Sequence, residues 1–107
     1  MMIKIVEIIG KHCSNRIGTK TQAGGVDVRN LIENSWEKES EIEISFEDVE
    51  TATPSFLDEA FGKLVLNHSF TDVKSKLRFN ITDPTIKNRI NENIVLRLKQ
   101  VQEQGLI

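Results

Sequence analysis

Ser45-Phe46-Glu47-Asp48-Val49-Glu50-Thr51-Ala52-Thr53-Pro54-Ser55-Phe56-Leu57-Asp58-Glu59-Ala60-Phe61-Gly62-Lys63-Leu64 reads as strand, turn and helix. Just before it, Glu41-Ile42-Glu43-Ile44-Ser45-Phe46 alternates polar and apolar residues, the period of a half-buried strand. Beyond the turn, Leu57, Ala60, Phe61, Leu64 and Val65 recur at the spacing of one helical stripe, which predicts a helix over residues 55–67. Two starts are open to it. Thr53-Pro54 supplies a capping hydroxyl followed by a proline whose fixed φ suits the first helical position. Ser55 with Asp58 forms a capping box that would begin the helix slightly later.

Working outward, Ile3 to Ile9 is apolar except at Lys4 and Glu7 and reads as a strand. Gly10 to Gly25 is a long polar loop containing four glycines, with room for a short strand over 16–19 pairing back on the first. Val26 to Glu39 predicts a helix with Val28, Leu31, Ile32, Ser35 and Trp36 on its core stripe, capped by Gly25 or Asp27. Residues 68–75 read as a loop and 76–81 as a strand, Leu77, Phe79 and Ile81 alternating with Arg78 and Asn80. Asp83-Pro84 opens a last helix whose stripe is Ile86, Ile90, Ile94, Leu98 and Val101, with Gly105 as its stop. Strand–helix units in succession imply parallel pairing. Strands buried on both faces should be uniformly apolar. Here Glu41, Glu43 and Ser45, like Arg78 and Asn80, would line one polar face, so helices are expected mostly on the other. The fold class is therefore α/β, a mixed or mainly parallel sheet.

A chain of 107 residues is the size of one domain with its own core. Hydrophobic residues make up 38% and charged ones 28%, an ordinary globular balance. A net charge of −2 argues against bulk attraction to nucleic acid. The charge is unevenly placed: residues 1–59 carry 6 basic and 12 acidic side chains, residues 60–107 carry 8 and 4. The halves either neutralise one another or present opposed surfaces to a partner. A single cysteine, Cys13, rules out an intrachain disulfide framework. The N-terminal apolar run is too short and too charged for a signal peptide or membrane span, so a cytoplasmic location is expected.

Few constellations point to chemistry. Lys11, Arg16 and Lys20, among the glycines and hydroxyls of the first loop, invite an anion-binding reading, but the spacing does not match a phosphate-binding P-loop. His12, Cys13 and His68 lack paired metal-ligand spacing. Asp58 and Glu59 are adjacent on a helix, so their side chains diverge by about 100° and form no poised acid–base pair; Glu59 and Lys63 read as a surface i, i+4 pair. No nucleophile–base set is visible, and neither enzyme activity, metal nor cofactor is expected. Ser55 is either a cap or a site of modification or partner contact. Gly62 inside a helix costs about 1 kcal/mol relative to alanine, which predicts close approach of a neighbouring element.

The string Ser55-Phe56-Leu57-Asp58-Glu59-Ala60-Phe61-Gly62 after an acidic, apolar strand resembles the STAS-like family, small bacterial relatives of the anti-sigma factor antagonists. Arg16-Ile17-Gly18 and Gly24-Gly25-Val26-Asp27-Val28-Arg29 are similar to that family's approach to its first helix, and the resemblance spans roughly residues 3–98. It implies a STAS-like fold and a regulatory protein–protein interaction made through the strand–turn–helix at 45–64. Thr53, Ser55, Asp58 and Glu59 would be the contact or phosphorylation residues. The partner it implies is a histidine-kinase-like ATPase or another anti-sigma-type regulator. In the antagonists this turn carries Asp-Ser-Ser-Gly-Leu, phosphorylated on its first serine. Here Thr53 stands in place of the Asp, Pro54 in place of the acceptor serine, and Ser55 matches the second serine. The alternative is a small-ligand or nucleotide sensor using loop 10–25.

Overall fold

Three strands pair in parallel in the order β1 (Met2–Lys4), β3 (Ile42–Ser45), β5 (Leu77–Asn80). The computed structural model that shows this describes residues 1–105, with side chains described through Gln102. The register sets Ile3 beside Ile44 and Ile44 beside Phe79, with Ile42 beside Leu77. The alternate rows are Met2, Glu43 and Arg78, then Lys4, Ser45 and Asn80. Period two therefore separates an apolar face from a polar one. Ile3, Ile42, Ile44 and Leu77 are buried, whereas on the polar face only Ser45 is. Arg78 pairs with Glu41 there, Nε to Oε1 at 3.1 Å. The α/β class, the parallel pairing and the one-sided sheet agree with the pattern of the strands.

The first element is shorter than its apolar run predicts. After β1 the chain turns into α1 (Ile5–Ile8). Ile5 and Ile9 are both buried, and the Ile9 amide donates to the Ile5 carbonyl at 2.8 Å. A run apolar at nearly every position satisfies helix and strand equally, and here the core takes one helical turn. The short strand for which residues 16–19 left room does not form. A two-residue strand, β2 (His12–Cys13), instead pairs in parallel with β4 (Thr51–Ala52).

Helix α2 (Gly25–Ser35) buries Val28 and Ile32 and gives way to a turn at Trp36, earlier than expected. The predicted helix 55–67 is two pieces: α3 (Pro54–Ala60) and a 3-10 helix (Gly62–Leu66), broken at Phe61 with φ −126°. Residues 68–75 are not a loop. Helix α4 (Phe70–Lys76) begins where the Ser69 hydroxyl accepts the Asp72 amide at 3.1 Å, a capping signal the sequence contains but which only Val73 supports with burial. Helix α5 (Pro84–Gly105) buries Ile86, Ile90 and Ile94. The stop expected after Gly105 falls on residues 106–107, which lie outside the described residues. Phe61 sits at the middle of the core, its ring edge-on to Phe79 (centroids 5.2 Å apart) and tilted to Phe46 (5.9 Å).

Candidate functional site

The turn between β4 and α3 is held from three sides. The Thr53 amide donates to the Cys13 carbonyl at 2.9 Å, extending the small β2–β4 ladder. The Thr53 hydroxyl donates to the Ser14 carbonyl (3.2 Å) and accepts the Phe56 amide (3.2 Å). That second bond is the N-cap, with Pro54 at the first helical position. Thr53, not Ser55, caps the helix. Ser55 lies in the first turn and is exposed, as is Pro54.

Asp58 and Glu59 follow on a helix otherwise buried by apolar residues. They are 7% and 5% exposed, and each is taken up by cations from distant elements. Arg97 of α5 donates twice to Asp58, Nε to Oδ1 at 2.7 Å and Nη2 to Oδ2 at 2.6 Å, and Arg16 Nη1 reaches Oδ2 at 2.8 Å. These bonds, Arg97's first, outweigh the upward push of burial and hold the Asp58 carboxyl at a pKa of about 2. Burial pushes Glu59 upward, but Lys63 (2.9 Å) and Arg29 outweigh it and leave its carboxyl below the ordinary value. The expected Glu59–Lys63 pair is made, but on a buried carboxylate instead of an exposed one. Arg16 bridges the two acids, lying 3.5 Å from Glu59 Oε1. Otherwise each carboxylate has its own cations, Arg97 on Asp58 and Arg29 with Lys63 on Glu59.

A Cβ on Gly62 would stand 2.7 Å from Asp58 Oδ1, 3.5 Å from Arg97 Cγ and 3.6 Å from Asn93 Cβ. The tight contact at this glycine is with the Asp58 carboxylate that Arg97 holds, while the α5 atoms lie at ordinary van der Waals distance. Beside it opens a cleft of about 320 Å³ whose lining includes Arg16, Pro54, Ser55, Asp58, Leu96 and Arg97, together with Asn93 and Gln100. Asn93 Nδ2 donates to the Pro54 carbonyl at 3.2 Å. Thr53, Ser55, Asp58 and Arg16 of the sequence-predicted residues thus meet in one place. Glu59 stands behind them. Lys11 and Lys20 do not join: both are exposed and make no side-chain hydrogen bond or ion pair among the described residues. Asn93, Arg97 and Arg29 were not foreseen; their one signal is the pair of acids on an apolar helix, which demands buried cations from elsewhere.

The first loop is a strap instead of a free anion-binding loop. The Asn15 and Arg16 carbonyls accept the Gly25 and Val26 amides, each at 2.8 Å, and Asp27 Oδ2 accepts the Gly24 amide at 2.7 Å. The donors that make a helix N-terminus attractive to an anion are occupied by the chain itself. Gly24 permits this crossing, since a Cβ there would meet the Ile17 carbonyl carbon at 2.6 Å. His12, Cys13 and His68 do not converge. His12 Nδ1 contacts the Thr51 hydroxyl (2.8 Å) on open surface, while His68 stacks on Trp36 (centroids 3.7 Å) and contacts Glu33 (2.6 Å). Cys13 is buried, which pushes its thiol up to about 11.

A family model, "STAS-like domain of unknown function (DUF4325)", matches residues 24–87. The chain belongs to this family. The matched span of the STAS-like domain runs from the N-terminus of α2 to the first turn of α5. It takes in the β3–β4–α3 unit and both buried acids, and leaves Arg16 and Arg97 outside. No curated protein and no solved structure matches the chain. Among the described residues no helix is long and apolar enough to cross a membrane.

Proposed function

We propose that this STAS-like domain is a cytoplasmic regulatory interaction module, without catalytic activity or cofactor, that docks a signalling protein at the cleft beside Pro54 and Ser55. The resembling antagonists point to a histidine-kinase-like ATPase or another anti-sigma-type regulator as the partner. The observation that carries the reading is the exposed Pro54–Ser55 corner, fixed by the Thr53 cap and set against a cleft that offers an apolar side chain, Leu96, among Arg16, Asn93, Arg97 and Gln100. A pre-shaped surface loses little freedom on binding. Asp58 and Glu59 serve it indirectly, by holding the arginines. The engagement of both acids by cations and the burial of Cys13 support a docking role over a catalytic one. A nucleotide sensor built on loop 10–25 is the weaker reading, because Lys11 and Lys20 stand apart from Arg16 and the amides at the start of α2 are already taken. The test is capture of the partner from the native cell, followed by titration of wild type, Ser55→Ala and Ser55→Asp against it. Ser55→Ala should bind nearly as wild type, and Ser55→Asp, which places a charge at the corner, should bind more weakly. Equal affinity of Ser55→Asp and wild type would remove the corner as the docking surface, and saturable thermal stabilisation by ATP or GTP would favour the sensor.

A further inference from the structure

Helix α5 has a solvent side that its core stripe does not account for. Ile94 is buried, yet its neighbours Val95 and Leu96 are 49% and 63% exposed. Glu92 precedes them and Lys99 comes after, each about one turn away, and all four fall within a sector of about 100° on the helix. Glu92 and Lys99 are exposed, and neither enters an ion pair among the described residues. Over residues 92–99 the ridge is therefore an apolar pair with one acid at one end and one base at the other.

We propose that this ridge pairs with the same ridge of a second copy, the two α5 helices running antiparallel. A two-fold axis between Val95 and Leu96 sets Val95 against Leu96 of the second copy and Glu92 against its Lys99, and the symmetry repeats both contacts. The charges favour this occupant over a foreign one. An acidic or basic partner would satisfy one end of the ridge and repel the other, while a second copy satisfies both. One helix pair is a small contact, below the size of ordinary stable interfaces, so the association is weak and concentration-dependent. Leu96 also lines the cleft beside the Pro54–Ser55 corner, so a partner docked there and a second copy compete for it, although the pairing of the ridge does not rest on that docking reading.

Sedimentation velocity of the whole chain from micromolar to near-millimolar concentration tests it. Wild type should show a reversible monomer–dimer equilibrium. Glu92→Lys and Lys99→Glu each place like charges opposite one another twice and should weaken the dimer about tenfold. The double variant restores opposite charges and should recover wild-type association, a result that nonspecific apolar contact cannot produce. All the altered side chains are exposed, and circular dichroism checks that each variant folds. A wild type that stays monomeric throughout, or a double variant as weak as the singles, overturns the proposal.

Discussion

Replacing Asp58 by Asn keeps the shape of the side chain and removes the charge that two arginines share. Two routes give the cost. Asp58 titrates at about 2 instead of its ordinary 3.8, a difference worth about 2 kcal/mol in the folded state. Removing one member of a buried ion pair typically costs about 3–5 kcal/mol. Here the Arg97 and Arg16 side chains are 23% and 41% exposed, so water takes over part of their solvation and the lower end applies. The expected loss at neutral pH is about 2–3 kcal/mol. The folded-state pKa lies below the unfolded one, so this contribution is complete above the unfolded value. It is lost as pH falls from about 4 through about 2. Urea denaturation of both proteins at pH 7 and at acid pH reads the difference. The gap should be wide at pH 7 and narrow steadily below pH 4. A gap under about 0.5 kcal/mol at pH 7, or one that does not narrow in acid, would refute the account of Asp58 as a buried, charged hub.

Thr53→Ala should destabilise by about 1 kcal/mol through loss of the cap, while Ser55→Ala stays within about 0.5 kcal/mol of wild type; equal losses in urea would return the cap to Ser55. Gly62→Ala should lose about 1–3 kcal/mol by overpacking, despite alanine's better helix propensity, because the added carbon meets Asp58 Oδ1 at 2.7 Å. A stabilised variant would show that the carboxylate can move aside. Phe61→Ala should cost about 3–5 kcal/mol, given a fully buried ring against Phe46 and Phe79; a loss under about 1 kcal/mol would displace Phe61 from the core.

Much of this architecture is legible in the residues alone, because period two and period 3.6 each leave a distinct pattern. The alternation of Glu41 to Phe46 and of Leu77 to Asn80 gives two strands and the polar face, and the succession of strand–helix units gives their parallel pairing. Thr53-Pro54 gives the start of α3. The misses share a cause. Ile5 to Ile9 is apolar at all but one position, Glu7, so periodicity cannot separate strand from helix. The break at Phe61 leaves no mark in the stripe, since Leu57, Ala60, Phe61, Leu64 and Val65 keep helical spacing across it and are all buried. Helix α4 has only one buried residue to mark its stripe. At the candidate site, sequence reading finds the turn and both acids but not Arg97 or Arg29. On α5 an arginine off the apolar stripe is indistinguishable from a solvated one until the fold brings Asp58 beneath it.

Three ion pairs bear on the uneven charge along the chain. Arg97 to Asp58 and Arg78 to Glu41 each join a base from residues 60–107 to a distant acid from residues 1–59, and the local i, i+4 pair of Lys63 with Glu59 spans the boundary between the two. The two halves neutralise one another at these contacts, two of them on the buried acids of α3. The same acids draw in Arg16 and Arg29, so four cations gather on two carboxylates. That leaves a local positive excess beside the cleft, in a chain whose net charge is −2. Nearby, Thr53 holds the cap and Pro54 fixes the backbone, so the hydroxyl of Ser55 is released from any structural duty. A change at Ser55 therefore alters the charge of the corner while the fold beneath it stays as it is. In the docking reading this makes the Pro54–Ser55 corner a surface whose shape is permanent and whose electrostatics are set by the arginines that Asp58 holds.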